Sequence, residues 1–340
     1  MTKRERVFAA FDNQPVDRVP AGFWFHFLAD KFDPAPAQIE KNIEGHHKYY
    51  RDFQPDFLKM MSDGFFTYPS DEAKNLKAPE DLYKIHALED DDWIKRQAQL
   101  VKTIAGQYKN EVAVFYNVFS PATYLKFILR ENKNPYSVGR LLNENPDALV
   151  YALTEIGKDV KKLIHAVIEE GGADGIFFST KNILAEGVSK EQFRTYVTPI
   201  EHDMLQEANK LSEYNILHIC GFERFKNDLT AYADYPVKAI NWPVVVDGVS
   251  LQEGKKLFGG KAVIGGFDND ASGTLYSGTE EEIKAETERI LKAVGDTTGI
   301  ILGADCTVPG DISPDHVRWV REAAADFAAK VAEGIKYIRH

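Results

Sequence analysis

Short apolar runs alternate with amphipathic helical patterns along nearly the whole chain, and this alternation constrains the fold more than any other feature. Eight runs read as strands, at residues 19–26, 57–63, 112–120, 175–180, 215–220, 239–243, 262–267 and 300–306. Several are continuous, such as Val112-Ala113-Val114-Phe115-Tyr116 and Ile216-Leu217-His218-Ile219. Continuous runs suit parallel strands covered on both faces. Between the strands, Leu149, Leu153, Ile156, Val160, Leu163 and Val167 predict a helix over 146–170, ended by Gly171-Gly172. Ser189, with Gln192 three residues on, opens a helix to about Lys210 like a capping box. Another starts near Thr279 with Glu280, Glu281 and Glu282 in its first turn, where the helix dipole favours acid. The last starts after Ser313-Pro314 and runs to about Tyr337. The pattern predicts an α/β fold, one (β/α)8 barrel over residues 1–340 with extra helices. The chain has 340 residues, against about 250 for a typical barrel of this kind, and the excess falls at 64–110 and 121–145. No linker, repeat or low-complexity tract divides the chain. A doubly wound open sheet is the alternative, but no Gly-x-Gly-x-x-Gly follows the first strand.

A barrel of this type carries its chemistry at the C-terminal ends of its strands. The chain has only two cysteines, and each closes a predicted strand: Cys220 the fifth and Cys306 the eighth. Side chains two apart on a strand share a face, so His218 and Cys220 are aimed together. If Cys306 meets them, one imidazole and two sulfurs form the ligand type zinc prefers, and a fourth position stays open, as in catalytic zinc sites. A cysteine at a strand end also packs well as a small hydrophobe; the placement of all three residues at strand ends favours the metal. His26, Asp63, Asn117, Ser120, Ser179, Asn241 and Asp268 also fall in or near strand ends. Each alone reads as a hydrogen-bonding or capping residue; together they predict a polar mouth on an apolar barrel, the character of a small-molecule site. Asp305 should face away from Cys306, and Glu223 or Asp268 could fill the fourth metal position at rest. Phe23, Trp24, Phe25 and Phe27 around His26 read as core or rim packing.

A formal net charge of −11 argues against nucleic acid as a partner. No apolar run approaches the roughly 20 residues that span a membrane, and the first residues lack a signal-peptide core. Two cysteines without a secretion signal fit a reducing cytoplasm and argue against a disulfide framework.

At this point the residues resemble the uroporphyrinogen decarboxylase superfamily, which includes zinc-dependent corrinoid methyltransferases. The resemblance covers essentially the whole chain. It is carried by Pro15-Val16-Asp17-Arg18-Val19-Pro20, Ser120-Pro121-Ala122-Thr123-Tyr124, Gly265-Gly266-Phe267-Asp268 and Ser313-Pro314. His218-Ile219-Cys220-Gly221 and Gly303-Ala304-Asp305-Cys306-Thr307-Val308-Pro309 resemble the methyltransferase branch. True decarboxylases carry an arginine-rich stretch after the first strand, close to Met-Arg-Gln-Ala-Gly-Arg, that holds the substrate carboxylates. Here residues 23–30 contain no arginine, and bidentate arginine is the strong way to bind carboxylate. The decarboxylases also place a histidine where Cys306 stands, although Asp63 and Tyr124 sit where they keep a functional Asp and Tyr.

The resemblance implies zinc held by His218, Cys220 and Cys306, and methyl transfer between a methylcobamide and a small-molecule thiol or other donor or acceptor, with the direction open. Asp63, Tyr124, His26 and Asn241 are the candidate catalytic residues. No Asp-x-His-x-x-Gly corrinoid motif occurs in the chain, so the corrinoid is expected on a separate protein. That protein would dock over the barrel mouth, including the insert at 64–110. The competing readings are a metal-free decarboxylase using Asp63 and Tyr124, and a noncatalytic zinc-binding barrel.

Overall fold

The computed structural model describes residues 1–181 and 183–334. Seven parallel strands form one sheet in chain order: β1 (Phe57–Met60), β2 (Ala113–Phe119), β3 (Gly175–Lys181), β4 (Ile216–Cys220), β5 (Ala239–Asn241), β6 (Ala262–Phe267) and β7 (Ile300–Ala304). All fall within a residue or a few of the predicted runs, and helices connect them, giving a (β/α) barrel of the TIM type.

The first predicted strand, 19–26, is the exception. It is reduced to a single parallel bridge between Ala21 and Leu302. It still fills the eighth stave, because Gly22 N–H donates to Leu302 at 2.9 Å, Leu302 N–H to Pro20 at 2.8 Å and Asp56 N–H to Ala21 at 3.1 Å. Pro20 has no N–H to extend the ladder. Ala21 N–H turns to the Asp56 carboxylate at 2.8 Å instead. Gly22 is required by close approach, since a Cβ there would lie 2.3 Å from the Phe57 ring.

The pleat divides the core in two. Alternate residues Phe57, Ala113, Phe115, Phe177, Ile216, Ala239, Ala262, Ile264 and Ile301 point inward and pack with Val7, Ala10 and Phe11 of the helix Lys3–Phe11. That helix and its inner cluster plug the N-terminal end of the barrel. The opposite parity, including Leu58, Val114, Ile176, Leu217, Ile240, Val263 and Leu302, faces the surrounding helices. The predicted helix starts are present: Ser189 and Thr279 form capping boxes with Gln192 and Glu282, and Ser313 caps Pro314–Ala332. The predicted end of that last helix near Tyr337 lies outside the described residues. The insert at 64–110 holds the short helices Asp71–Lys74 and Pro79–Lys84 and then the helix Asp92–Tyr108, which is the crossover between β1 and β2. Among the described residues, no helix is long and apolar enough to cross a membrane.

Candidate metal centre

The C-terminal end of the barrel opens into a cavity of about 700 Å³ whose lining includes His218, Cys220 and Cys306. His218 and Cys220 point inward from β4, and Cys306 follows β7 by two residues. The ligand atoms of these three residues all lie within 4.8 Å of one another. His218 Nε2 is 3.7 Å from Cys306 Sγ, and the two sulfurs are 3.9 Å apart. Both cysteines are free thiols. A tetrahedral ion with Zn–S bonds of about 2.3 Å and Zn–N bonds of about 2.0 Å separates its sulfurs by about 3.8 Å and nitrogen from sulfur by about 3.5 Å. The donor set and its spacing therefore fit zinc. The Cys306 thiol is held well below the ordinary thiol range, first by its hydrogen bond with Cys220 and, against the opposing effect of burial, by His218 and the Lys59 charge.

β4 and β5 align His218 with Asn241 in register, and His218 Nδ1 meets Asn241 Oδ1 at 2.5 Å. Asn241 Nδ2 donates to Ile264 and Ala304 carbonyls at 2.9 and 3.1 Å, so its oxygen is the atom that faces the ring. Nδ1 of His218 therefore carries the hydrogen, and the Nε2 lone pair is left toward the sulfurs. Asn241, predicted as a catalytic candidate, lies behind the imidazole and outside the cavity lining. Gly221 follows Cys220 because a Cβ there would sit 2.6 Å from the Pro243 ring.

Neither predicted fourth ligand joins the cluster. Glu223 faces Arg130 at 3.6 Å, and Asp268 faces Arg224 at 3.2 Å. Asp305 has the inward parity of Ile301, but β7 ends at Ala304, and beyond it Asp305 turns away and accepts from Val245 N–H at 3.0 Å; burial pushes its pKa up to about 7.

His26 lines the cavity with its Nδ1 at 2.8 Å from Asp63 Oδ1. The other Asp63 oxygen accepts from Phe27 and Leu28 N–H at 2.7 and 3.2 Å. Burial opposes ionisation of Asp63, yet the His26 ring and these donors hold its pKa below the ordinary value. Both oxygens are thus committed to the 26–28 turn. Tyr124 requires a correction: it is fully buried between Tyr68, Trp93 and Phe119 and does not line the cavity. Its helix starts at Pro121, and the turn carries the ring to the outer side of β2, where burial raises its pKa. Asn117 and Ser179 line the cavity and bond to each other at 2.7 Å, whereas Ser120 caps the helix Pro121–Glu131. The insert at 64–110 contributes only Phe66 to the lining.

Sequence reading missed two lysines, Lys59 on β1 and Lys181 on β3, both lining the cavity. Lys59 interrupts an otherwise apolar strand at an inward position, Phe57-Leu58-Lys59-Met60, and Lys181 closes β3 at an inward position after Ser179 and Thr180. For Lys59, that charge inside a buried run was the available signal. Lys181 pairs in register with Cys220. The Lys59 ammonium lies 4.1 Å from the Phe177 ring centroid and 4.7 Å from that of Trp24.

The uroporphyrinogen decarboxylase (URO-D) family model matches residues 67–327, and the chain belongs to that family. It is 22% identical over 321 residues to a methylcobamide:CoM methyltransferase, MtbA, of Methanosarcina mazei, covering 86% of this chain and 89% of that protein. The solved structure of a methyltransferase from Methanosarcina mazei superposes with a TM-score of 0.70 at 18% identity, covering 96% of this chain and 99% of the other. A β-mannanase from the blue mussel Mytilus edulis shares only the barrel, with a TM-score of 0.53 at 10% identity over 91% of this chain and 92% of its own.

Proposed function

We propose that this member of the uroporphyrinogen decarboxylase family is a zinc-dependent methyltransferase of a corrinoid system. It moves a methyl group between a methylcobamide on a partner protein and a small-molecule thiol or other donor or acceptor. The observation that carries this reading is the His218, Cys220 and Cys306 cluster, spaced for a tetrahedral ion and facing the cavity. The related methylcobamide methyltransferase supports it.

Bound zinc would supply a Lewis acid with one open position for a thiol, whose proton it makes easier to remove. The protein's own residues do the rest. Asn241 fixes the tautomer of His218. Asp63 anchors Nδ1–H of His26, which leaves His26 Nε2 as the nitrogen that can take the thiol proton. In the thiol-accepting direction, a sulfur lone pair forms the new bond to the methyl carbon, and the electron pair of the broken cobalt–carbon bond stays on cobalt. The partner's corrinoid would approach over the open strand ends, where residues of the 26–32, 221–224, 269–271 and 306–310 segments line the mouth. The decarboxylase reading is the weaker one, because Tyr124 is walled off and both Asp63 oxygens are already engaged.

The test is elemental analysis of untagged full-length protein beside the Cys220→Ala/Cys306→Ala double variant, followed by thiol-dependent demethylation of methylcobalamin. Zinc near one per chain and methyl transfer, both lost in a folded double variant, are the expected results. Porphyrinogen decarboxylation by metal-free protein would overturn the reading.

A further inference from the structure

Lys59 is a buried cation in an unusual setting. Its residue is 6% exposed, and its ammonium sits over the faces of Trp24 and Phe177. Those same two rings pack against His218, with centroids at 6.1 and 5.7 Å. The ammonium and the metal-facing imidazole therefore share one aromatic wall at the cavity floor. Among the described residues, Lys59 has no hydrogen bond and no ion pair, although an ammonium offers three donors. The groups that most favour its charge are Cys306 and Cys220, and then Asp63, which is committed to His26 and the 26–28 turn. Burial pushes its pKa down to about 8, so it is still charged in the main at neutral pH.

Charge arithmetic gives this cation a purpose. A zinc ion with two thiolates and a neutral imidazole sums to zero. A neutral fourth ligand then leaves the Lys59 charge uncompensated in a low-dielectric floor, and an anionic one compensates it. We propose that Lys59 is the fixed counter-charge of the fourth metal position, selecting a thiolate there over a neutral thiol or thioether. Such a charge serves either direction of transfer, because it holds the sulfur anion as acceptor or stabilises it as leaving group. The other charged groups of this cavity are Lys181 on β3, the His26–Asp63 pair, and Lys31, Arg130, Glu223, Arg224 and Asp270 in its lining. The inference rests on the zinc–thiol reading above, so its test must separate the two.

The protein is loaded with Co2+ in place of zinc and titrated with 2-mercaptoethanol, whose tail is uncharged, and with its S-methyl thioether. Sulfur-to-cobalt absorption reports binding without turnover. In Lys59→Met and Lys59→Gln, with Co2+ content preserved, thiol affinity near neutral pH should fall by about tenfold, the low end for removing a neighbouring opposite charge. The pH midpoint of thiol binding should rise, thioether affinity should hold, and Lys59→Arg should restore much of the loss. Equal thiol binding in parent and both neutral variants would overturn the Lys59 assignment alone. A parent protein that takes no Co2+, or takes it without binding thiol, would overturn the zinc–thiol reading and this inference together. Equal losses for thiol and thioether would assign Lys59 a merely structural role and overturn the proposal.

Discussion

At the N-terminal end of the barrel, the buried Asp56 carboxylate accepts from Arg18 at 2.7 and 2.8 Å, from Arg6 at 3.1 Å and from Ala21 N–H at 2.8 Å. At the C-terminal end, the buried Lys59 ammonium rests on aromatic faces, and the groups that most favour its charge are Cys306 and Cys220. β1 joins the two, with Asp56 just before it and Lys59 within it. A carboxylate satisfied on every side reads as structure. A cation without a carboxylate, above a cluster of metal-capable side chains, reads as chemistry awaiting a ligand. The contrast teaches that burial of charge alone does not mark a site; the incompleteness of its pairing does.

Four changes break or sharpen that contrast. Asp56→Ala leaves two arginines without their buried partner and should cost about 3–5 kcal/mol. Urea unfolding would show this loss while zinc content per folded chain stays unchanged. A large loss of metal without a loss of stability would reverse the assignment of the two ends.

The next effect is one of pH. The buried His46 supports the upper end of β1, accepting from Met61 N–H at 2.9 Å and bonding through Nδ1 to the Asn42 carbonyl at 2.8 Å. Burial pushes its pKa down to about 4 from an ordinary 6.5. The unfolded chain therefore takes up the proton first. The stability this neutral ring contributes is full above about pH 6.5 and is lost as pH falls toward 4, about 3 kcal/mol in all. Unfolding free energies measured between pH 7 and 4.5 should show this slope in the parent and lack it in His46→Gln.

Asn241→Leu removes the acceptor for His218 Nδ1–H while leaving all three ligands in place. Zinc affinity, measured by competition with a chelator, should drop about 10–100-fold, with little change in fold. An unchanged affinity would mean that the imidazole needs no such support. The smallest effect is expected for Tyr124→Phe, which keeps the ring among Tyr68, Trp93 and Phe119. Methyl transfer should be unaltered; its loss would return Tyr124 to the site and revive the decarboxylase reading.

Much of this was legible in the sequence because it depends on local periodicity. The strand pleat puts His218 and Cys220 on one face whatever the rest of the chain does, and capping residues such as Ser189, Thr279 and Ser313 mark helix starts by chemistry internal to one turn. The failures have equally physical causes. Residues 19–26 look like a strand by composition, yet Pro20 removes a donor and Asp56 captures the Ala21 N–H, so the ladder stops at one bridge. Tyr124 carries the right residue type, yet the helix turn after Ser120 rotates it outward.

By itself, then, the sequence determined the alternating architecture, the strand-end placement of the two cysteines and the pairing of His218 with Cys220, because each follows from spacing along a single element. Only the tertiary structure decided that Cys306 reaches them from just beyond β7, that Asn241 stands behind His218, and that Lys59 and His218 share the Trp24 and Phe177 rings. Those contacts join residues 23 to 194 positions apart in the chain; they exist only once the barrel curls and its strands come into register, which no local spacing encodes.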